Sequence, residues 1–575
     1  FRIVFIFDNS MLKGTQLTLG NIYSSEILIP NLLPITKIAI NELSLILDKA
    51  KAHCFSKLEE RHVSTRNFTE SNQTVSHTLT WLYTYTTALS QVQNWSEKLS
   101  NEGRLGDIEY LIHQIAFSEY LAQIRGGIPI SQGEIVRLSN LGIDIDEENL
   151  FKNVDVKNLI NNGSSENSMC LLMNLLIESS EQGSTGDVGL NTELNIIREQ
   201  FRRFTTEQIE PYAQRWHLEN ELLPKSLIED MADLGVFGLT IPEEYGGSGE
   251  SKVAMCVLSE ELSRGYLGVG SLSTRSDIAA ELILSGGTDL QKSYWLPKIA
   301  CGEVLPTAVF TEPDIGSDLG SIKTKATRTD KHYKISGNKT WITHGSRADL
   351  MTVLARTDLT SDDHSGLSMF LAPKIAGNNY ELFPSPGLNG SEIPVIGYKG
   401  MKEYEVVFTD FEVKVENLLG DTEGSGFKQL MHTFESARIQ TASRAIGVAQ
   451  SAYELALRYA QERSQFGKTI INFPRIKNKL AMMVVELMIA RQTTYHAARQ
   501  KDKQKRCDLE AGVAKLLSAR IAWAASDNSL QIHGSYGYAA EHPSSRLLCD
   551  ARIISIFEGT AEIQASIIAR RLLSD

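Results

Sequence analysis

A short stretch near the end of the chain carries the residue best suited to acid–base chemistry. Glu558 stands between the apolar Phe557 and Gly559, and Thr560 follows where it can cap a helix. Burial against apolar groups raises a carboxyl pKa, so we expect Glu558 to be a general base with a raised pKa. The glycine allows a ligand or another backbone to approach closely. A solvated helix-start residue is the alternative interpretation of Glu558.

The elements that position Glu558 are predicted to be helical. The sequence after it predicts a helix from Ala561 to Leu573, with Glu562 in the first turn near the positive end of the helix dipole. Three longer helices are predicted before it, at residues 427–463, 475–501 and 509–531. Four antiparallel helices with short connections make a bundle.

The middle of the chain has a different apolar period. Between about residues 303 and 420 the period shortens to two, which predicts strands. The strand patterns lie at residues 324–329, 332–335, 350–355, 368–371 and 404–408. Helical patterns precede them at residues 194–209, 224–234, 253–263 and 277–284. The sequence therefore predicts a small β domain between two helical ones.

The first 185 residues form a separate predicted segment. Apolar stripes at residues 35–58, 77–99 and 106–126 predict packed helices without a catalytic constellation. The segment Asn161–Gly189, rich in Asn, Gly and Ser, predicts a boundary. The predicted domains are an N-terminal helical extension (1–185), a helical domain (186–302), a middle β domain (303–422) and a C-terminal helical bundle (423–575).

Composition narrows the class of protein. The chain has 575 residues and a net charge of -13, which makes a nucleic-acid partner unlikely on electrostatic grounds. Its six cysteines are scattered, which argues against a disulfide framework or a metal site and favours a reducing compartment. The apolar opening Phe1–Phe7 is too short for a good signal peptide, and Met11 is a candidate initiator. We expect a cytoplasmic protein without a membrane-spanning segment.

Six short motifs follow one another between residues 239 and 560. They are Leu239–Gly247, Phe310–Asp318, Trp341–Gly345, Glu462–Gly467, Gln531–Tyr538 and Phe557–Thr560. On these motifs, residues 186–575 resemble the acyl-CoA dehydrogenase family, flavoenzymes with a helix–β–helix architecture. The resemblance covers about two-thirds of the chain. It implies a mainly α fold with a helical domain, a β-barrel-like domain and a C-terminal four-helix bundle, preceded here by the helical extension.

By this resemblance, FAD is the expected cofactor, lying between the β domain and the C-terminal bundle. An isoalloxazine ring needs hydrogen-bonding groups along its pyrimidine edge and a flat surface against one face. The resemblance assigns these roles to Phe310, Thr311, Trp341 and Thr343. A half-buried strand residue is the alternative for Trp341.

Further cofactor contacts are implied in the C-terminal region. Arg463, Gln465 and Phe466 match the segment that reaches FAD across a subunit interface, where an arginine can neutralise pyrophosphate charge. The other implied contacts are Gln531, Gly534, Thr560 and Glu562. Two positions depart from the family's pattern, with Ser535 in place of a usual glycine and Pro474 in place of a frequent glutamine.

The resemblance implies α,β-dehydrogenation of an acyl-CoA thioester. This reaction needs a base at the α carbon and a hydride acceptor at the β carbon, here Glu558 and the flavin N5. The backbone N–H of Glu558 can also polarise the thioester oxygen. Some family members place the base on the long helix, but here that position is Ala437. An alanine cannot accept a proton, so Glu558 is the remaining candidate for the base. Implied substrate contacts are Ser317, Phe434, Arg438 and Gly559, with a plain ion pair as the alternative for Arg438.

Residues 387–404 bear on which acyl group the substrate carries, because they depart from the family's common short loop. Together with Ser273–Asp277 and the long extension, they resemble the (2S)-methylsuccinyl-CoA dehydrogenases of the ethylmalonyl-CoA pathway, which form mesaconyl-CoA. The free carboxylate of such a substrate needs a cation or several donors, for which we expect Arg275. Lys402 and Tyr398 are weaker candidates. The alternatives for Arg275 are an intrahelical ion pair, with Asp277 or Glu281, and a solvated side chain.

Other functions stay open at this point. A generic short- or branched-chain acyl-CoA dehydrogenase is the second candidate, and an acyl-CoA oxidase would share the fold. A flavin-free binding protein is disfavoured because Glu558 and Trp341 are both present. The family resemblance implies electron transfer flavoprotein as the electron acceptor and a homo-oligomer, either dimeric or tetrameric.

Overall fold

The computed structural model describes residues 27–61, 64–179, 183–503 and 505–574. The chain divides into two compact units. The first comprises Phe1–Gly189 and Ala460–Gln492, and the second comprises Leu190–Tyr459 and Thr493–Asp575. The apolar opening and Met11 lie outside the described residues, so the expectations about them stay predictions. No helix in the described ranges is long and apolar enough to cross a membrane.

The first unit is mainly helical. Its helices before residue 180 are α1 (Leu32–Arg61), α2 (Thr65–Ser71), α3 (Gln73–Asn101), α4 (Asp107–Gly126), α5 (Asn149–Lys152), α6 (Val154–Asn162) and α7 (Glu166–Glu178). A hairpin of β1 (Ile128–Ser131) and β2 (Glu134–Val136) follows α4. The three helices predicted for the extension are confirmed as α1, α3 and α4.

Helix α7 is an additional element inside the segment Asn161–Gly189 that we predicted to be a boundary. Its apolar residues recur every three or four positions and are buried: Met169, Leu172, Met173 and Leu176. Ser165 caps its start by accepting a hydrogen bond from the Ser168 N–H. The polar Asn-Gly-Ser sequence before the helix connects two helices of the first unit, and the chain divides only after Gly189, at the end of the predicted boundary segment.

Residues 460–492 are joined to the extension by polar contacts within the first unit. Arg491 Nη1 donates to Thr185 Oγ1 at 2.7 Å, and Gln492 Nε2 donates to the Val188 carbonyl at 3.0 Å. Both bonds are buried, so they stabilise this packing more than exposed bonds would. The structure therefore gives the extension a packing partner within its own chain.

A chain that starts at Gly186 should expose apolar surface and either aggregate or change its oligomeric state. The reason is that deletion removes the helices against which residues 460–492 pack. Light scattering after size-exclusion chromatography measures the oligomeric state, and turnover measures the integrity of the site. A truncated chain that is soluble, fully active and in the native oligomeric state would disprove the packing role.

The second unit begins with helices that lead to the sheet. They are α8 (Thr192–Gln208), α9 (Glu210–Leu218), α10 (Lys225–Asp233), α11 (Lys252–Gly265), α12 (Leu267–Gly286) and α13 (Asp289–Ala300). Helix α12 is much longer than the predicted 277–284. Its first half is rich in glycine and serine, which hid the apolar period, yet every residue from Leu267 to Ala280 is buried. Small residues allow this close packing: a Cβ at Gly270 would collide with Ser263.

The sheet of the second unit has seven strands. They are β3 (Pro306–Val309), β4 (Lys325–Arg328), β5 (His332–Lys339), β6 (Leu350–Arg356), β7 (Leu367–Pro373), β8 (Leu388–Ile393) and β9 (Glu403–Lys414). Their order is β3-β6-β4-β5-β9-β8, with β7 also paired to β6. The five predicted strands are confirmed. Strand β8 lies in the stretch that we interpreted as an unusual loop. Its polar Asn389-Gly390-Ser391 gave no strand signal, but it pairs antiparallel with β9.

Helices complete the chain after the sheet. They are α14 (Gly426–Glu462), α15 (Pro474–Asp502), α16 (Asp508–His533), α17 (Ser535–Tyr538), α18 (Pro543–Ile554) and α19 (Ala561–Leu572), with a short hairpin of β10 (Ser464–Gln465) and β11 (Lys468–Thr469) after α14. The four predicted helices are confirmed as α14, α15, α16 and α19. Helix α18 is an additional element, and it leads directly into the turn that holds Glu558.

Candidate active site

Glu558 lies in the turn between α18 and α19 with a φ angle of 54°, an uncommon conformation for a residue with a side chain. Its side chain is only 11% exposed. Oε1 accepts hydrogen bonds from Arg275 Nη2 at 2.7 Å and from Arg444 Nη2 at 2.8 Å. Oε2 accepts a hydrogen bond from the Thr441 hydroxyl. The interpretation of Glu558 as a solvated helix-start residue is therefore wrong.

The charge state of Glu558 differs from our expectation. Burial does raise its pKa, as the sequence suggested. The charges of Arg444 and Arg275 and the Thr441 hydrogen bond outweigh burial, so the pKa lies below its usual value. The carboxylate is therefore ionised at neutral pH and able to accept a proton. The expectation of a raised pKa is wrong because Arg275 and Arg444 lie against the carboxylate and lower its pKa. The sequence did not show that these two arginines meet at Glu558.

Arg444 is fixed on the α14 side of the site. Its guanidinium donates to Ser271 Oγ at 2.6 Å and to Thr441 Oγ1 at 2.8 Å, in addition to Glu558. It also lies over the Phe557 ring, 4.9 Å from the centroid. Sequence reasoning missed Thr441 and Arg444.

A sequence signal could have found these two residues. Positions 437, 441 and 444 are spaced by four and three, so they share one face of the long helix. We had already placed Ala437 at the alternative base position. The side chains on its face were the natural candidates for the surroundings of the base.

The turn around Glu558 is held by three further contacts. Lys515 Nζ donates to the Gly559 carbonyl at 2.6 Å, and Gln564 Nε2 donates to the Glu558 carbonyl at 3.3 Å. Thr560 caps α19 as predicted, because its hydroxyl accepts from the Ile563 N–H. The turn needs a glycine after Glu558: Gly559 has a φ angle of 90°, and a Cβ there would collide with Gln564.

Lys515 was not identified from the sequence. It lies in α16, where it is fully buried, and burial lowers its pKa to about 7. An amphipathic helix gives no signal that one of its lysines points inward, so the contact emerges only from the tertiary structure.

Arg275 lies in α12 and its guanidinium contacts Glu558 directly. Its side chain is 9% exposed, and its Nε atom is buried without a hydrogen-bond partner in the described residues. Burial alone would lower its pKa, but nearby Tyr398, Glu558 and Glu403 raise it. Both alternatives for Arg275 are therefore wrong, since it is neither solvated nor paired within its own helix.

The acidic residues of α12 have other partners. Asp277 accepts hydrogen bonds from Gln440 Nε2 at 2.6 Å and from the Thr240 hydroxyl. Glu281 pairs with Lys501 at 2.8 Å. Because Asp277 and Glu281 have these other partners, Arg275 is available to pair with Glu558.

Two weaker candidates for carboxylate binding lie in different surroundings. Lys402 forms an ion pair with Glu392 at 2.7 Å. Tyr398 packs edge-on against Phe557 with ring centroids 5.2 Å apart, and its buried hydroxyl has no partner in the described residues. Tyr398 therefore has a free polar group at the site, whereas Lys402 already has a counterion.

Glu403 is a second buried carboxyl group that the sequence did not reveal as functional. It begins β9, and the Thr343 hydroxyl donates to its two oxygens at 2.8 and 3.1 Å. Burial raises its pKa to about 7, although the Thr343 hydrogen bond and Arg275 act in the opposite direction. Thr343, which we expected near the flavin, is thus oriented by its hydrogen bonds to Glu403. The charge of Arg275 also acts on this carboxyl group.

The residues expected around the flavin offer what an isoalloxazine ring needs. The Trp341 side chain is 56% exposed although both neighbours in sequence are buried, so a flat aromatic surface is available. In the described part of the chain, the amide N–H groups of Thr311, Trp341 and Thr343 donate to no protein acceptor. A ring face and unused donors fit FAD, and the structure thus supports the assignment that the resemblance suggested. The alternative of a half-buried strand residue for Trp341 is wrong, since it lies after β5 ends.

A buried ion pair supports the loop that carries Phe310 and Thr311. Glu312 accepts hydrogen bonds from the backbone N–H groups of Lys323 and Thr324, both at 2.8 Å. Lys339 Nζ donates to Glu312 at 3.1 Å and to the Phe310 carbonyl at 2.8 Å. Burial would raise the Glu312 pKa, but Lys339 and these hydrogen bonds lower it.

Replacement of Glu312 with alanine should destabilise the protein by about 3–5 kcal/mol, because it leaves the buried Lys339 cation without a counterion. Urea denaturation followed by circular dichroism measures this loss. Glu416→Ala is the matched control, since Glu416 pairs with Lys414 on the surface and should change stability by no more than about 0.5 kcal/mol. Equal effects of the two substitutions would refute the supporting role of Glu312.

Three residues expected at the cofactor or substrate lie together. Phe310 and Phe434 meet edge to face with ring centroids 6.5 Å apart. The Arg438 guanidinium lies 5.8 Å from the centroid of the Phe434 ring. Arg438 is buried, and its Nε has no partner in the described residues. Among the described residues Arg438 forms no ion pair, so the plain ion pair that we considered as its alternative role is not observed.

Seven other residues were expected to contact the cofactor or the substrate. Ser317, Gln531, Gly534 and Glu562 are exposed. Gly534 ends α16 with a φ angle of 62°. Arg463, Gln465 and Phe466 belong to the first unit, at the β10–β11 hairpin, and the Phe466 side chain is 93% exposed. The roles of all seven stay predictions.

Comparison with known proteins agrees with this geometry. Three family models match: the N-terminal domain of acyl-CoA dehydrogenase at residues 191–303, the middle domain at 307–411 and the C-terminal domain at 424–573. A (2S)-methylsuccinyl-CoA dehydrogenase from Cereibacter sphaeroides is 55% identical over 546 residues, which are 95% of this chain and 99% of that protein. This match includes the N-terminal extension.

Solved structures match about two-thirds of the chain. Butyryl-CoA dehydrogenase from Megasphaera elsdenii superposes with a TM-score of 0.63 at 31% identity, covering 67% of this chain and all of that one. A chain from a structure of the electron transferring flavoprotein of Acidaminococcus fermentans gives a TM-score of 0.64 at 32% identity, covering 68% and 100%. On the family models and the full-length relative, the chain belongs to the acyl-CoA dehydrogenase family, whose members are FAD-dependent oxidoreductases.

Proposed function

We propose that this protein oxidises (2S)-methylsuccinyl-CoA to mesaconyl-CoA as an enzyme of the ethylmalonyl-CoA pathway. The observation that carries this proposal is the buried Arg275 against Glu558. A buried guanidinium beside the proposed base offers a counterion to a substrate that bears a free carboxylate close to its reacting carbons. The 55% identity with a dehydrogenase of that name supports the same substrate.

Glu558 is the proposed base for the α proton. Its carboxylate is held ionised by Arg275 and Arg444, so it can accept a proton at neutral pH. Its own amide N–H donates to no protein acceptor in the described residues. That N–H is therefore available to polarise the thioester carbonyl, which increases the acidity of the α C–H bond. Gly559 and Lys515 fix the turn that presents both groups.

FAD would be held by Phe310, Thr311, Trp341 and Thr343, and when bound it supplies the hydride acceptor for the β carbon. Glu403 keeps the Thr343 hydroxyl in one orientation. We also propose that Arg463, Gln465, Phe466, Gln531, Gly534, Thr560 and Glu562 contact the cofactor, and that Ser317, Phe434, Arg438 and Gly559 contact the acyl-CoA. An electron transfer flavoprotein as acceptor, a homo-oligomeric state and a cytoplasmic location complete the proposal.

A panel of acyl-CoA thioesters tested with an artificial electron acceptor examines the proposed substrate. We expect the highest kcat/KM with (2S)-methylsuccinyl-CoA, and much lower values with butyryl-CoA and 2-methylbutyryl-CoA, which lack the free carboxylate. Preference for an uncharged thioester would instead support a generic short- or branched-chain dehydrogenase.

The electron acceptor is tested separately. Anaerobic addition of substrate should bleach the flavin, and the colour should return when electron transfer flavoprotein is added. Rapid return of colour in air with formation of peroxide would identify an oxidase. Failure of the purified protein to bind FAD after reconstitution would support a binding protein without redox activity.

A further inference from the structure

Glu558 is held by two arginines that differ in how firmly they are fixed. Arg444 donates to Ser271, Thr441 and Glu558, which lie on three different elements. In the described residues Arg275 makes a single hydrogen bond, the one to Glu558, whereas the buried Nε atoms of both arginines have no partner there. Arg444 is thus anchored by its neighbours, whereas Arg275 has donors left for another anion.

The charged groups around this pair include more cations than carboxylates before any substrate enters. Arg275 faces Glu403, Tyr398 and the buried His344, and Glu558 faces Arg444, Lys515 and Arg438. A substrate carboxylate adds one negative charge to a site where Arg444 is already committed to protein oxygens. Arg275 is the cation best placed to receive it, because its planar fork presents unused N–H groups.

We propose that Arg275 changes partners when substrate binds. In the free enzyme it holds Glu558, and the free carboxylate of a dicarboxylic acyl-CoA draws it away, which releases Glu558 to take the α proton. An uncharged acyl-CoA cannot draw Arg275 away, so the base stays engaged. Selectivity then acts on the chemical step as well as on binding. This inference rests on the proposed function and adds a mechanism to it.

The physical basis is the effect of one cation on proton affinity. A neighbouring positive charge stabilises a carboxylate and weakens it as a base, so the loss of one of two guanidinium contacts strengthens it. The energy needed to separate Arg275 from Glu558 is recovered only when another carboxylate takes the vacant place, because an unpaired buried charge is costly. The substrate's own charge therefore controls the strength of the base.

Arg275→Gln tests the exchange, since glutamine retains a polar side chain but removes the cation. With methylsuccinyl-CoA we expect kcat/KM to fall by about 100-fold or more, the scale for loss of a buried charge partner. With 2-methylbutyryl-CoA we expect kcat to rise several-fold, because the base is no longer held by Arg275. A kcat for 2-methylbutyryl-CoA that is unchanged or lower would overturn the exchange.

The pH dependence of the wild-type enzyme gives a second readout. The acid limb of kcat/KM reports the free enzyme, and that of kcat reports the enzyme–substrate complex. With methylsuccinyl-CoA the apparent pKa in kcat should exceed that in kcat/KM by more than it does with 2-methylbutyryl-CoA. Equal separations for the two substrates would also overturn the exchange.

Two controls keep the test decisive. Flavin absorbance and the thermal unfolding midpoint show whether the Arg275→Gln protein is folded and loaded, and Arg275→Lys, which keeps the charge, should retain part of the preference for methylsuccinyl-CoA. An Arg275→Lys protein that has lost this preference to the same extent as Arg275→Gln would contradict the exchange. Wild-type turnover of methylsuccinyl-CoA tests the proposed function by itself. If the wild type turns over methylsuccinyl-CoA but Arg275→Gln loses both activities in parallel, the partner exchange and carboxylate recognition by Arg275 both fail, while the measured wild-type turnover leaves the proposed reaction standing.

Discussion

Replacement of Glu558 with glutamine is expected to leave a yellow protein that binds acyl-CoA and turns over almost none of it. The amide has nearly the shape of the carboxylate but cannot accept the α proton. Removal of a general base costs about 10²–10⁴ in rate, so kcat should fall by at least this factor. Steady-state assays with an artificial electron acceptor measure kcat, and flavin absorbance measures cofactor content.

The matched control for this substitution is Glu541→Gln, which makes the same chemical change at an exposed position before α18. Its kcat should stay close to that of the wild type. If Glu558→Gln instead retained more than about a tenth of wild-type kcat, equivalent to about 1.4 kcal/mol in the barrier, the base would have to be another residue. Glu403, the other buried carboxyl group near Arg275, would then be the first to test.

Replacement of Arg275 with alanine should lower kcat/KM for methylsuccinyl-CoA by about 100-fold or more, the cost of leaving a buried carboxylate without its partner. An uncharged acyl-CoA of similar length should show little loss or a gain, because it brings no carboxylate to be paired and Glu558 is no longer held by Arg275. The ratio of the two kcat/KM values therefore isolates carboxylate recognition from general damage to the site. Equal losses on both substrates, or no loss on either, would remove Arg275 from substrate recognition and weaken the dicarboxylate proposal.

Lys402→Ala is the comparison for Arg275→Ala. Lys402 is a cation directly before β9. Its ammonium group is already paired with Glu392 at 2.7 Å and is partly exposed. We therefore expect a loss of about tenfold or less on methylsuccinyl-CoA, in line with the small contribution of partly exposed ion pairs. A larger loss for Lys402→Ala than for Arg275→Ala would reassign the carboxylate site to the lysine.

Much of the fold followed from periodicity and turn chemistry. Long apolar stripes predicted α1, α3, α4, α14, α15 and α16 to within a few residues, because an amphipathic helix must repeat its apolar residues to bury one face. The cap at Thr560 was also predicted correctly. Elements without such repeats were missed, notably the glycine- and serine-rich start of α12 and the polar strand β8.

The sequence also determined the chemical class of the site. A glutamate, a glycine and a helix-capping threonine in succession, together with five other motifs in order, carry the family resemblance from which we predicted the base and the flavin contacts. These are local features, since each motif consists of neighbours along the chain and its backbone geometry depends on residue type. The strained backbone at Glu558 and the glycine that follows it belong to this class.

The electrostatics of the site, in contrast, were decided only by the tertiary structure. Arg275 and Arg444 lie 283 and 114 positions from Glu558 in the chain, yet both donate to the same carboxylate oxygen. They reverse the effect of burial, so the pKa of Glu558 is lowered where the sequence predicted that it would be raised. Proton affinity depends on charges within a few ångströms, whatever their separation in sequence. The sequence alone could therefore predict Glu558 as the candidate base, and only the tertiary structure determined which cations hold its carboxylate.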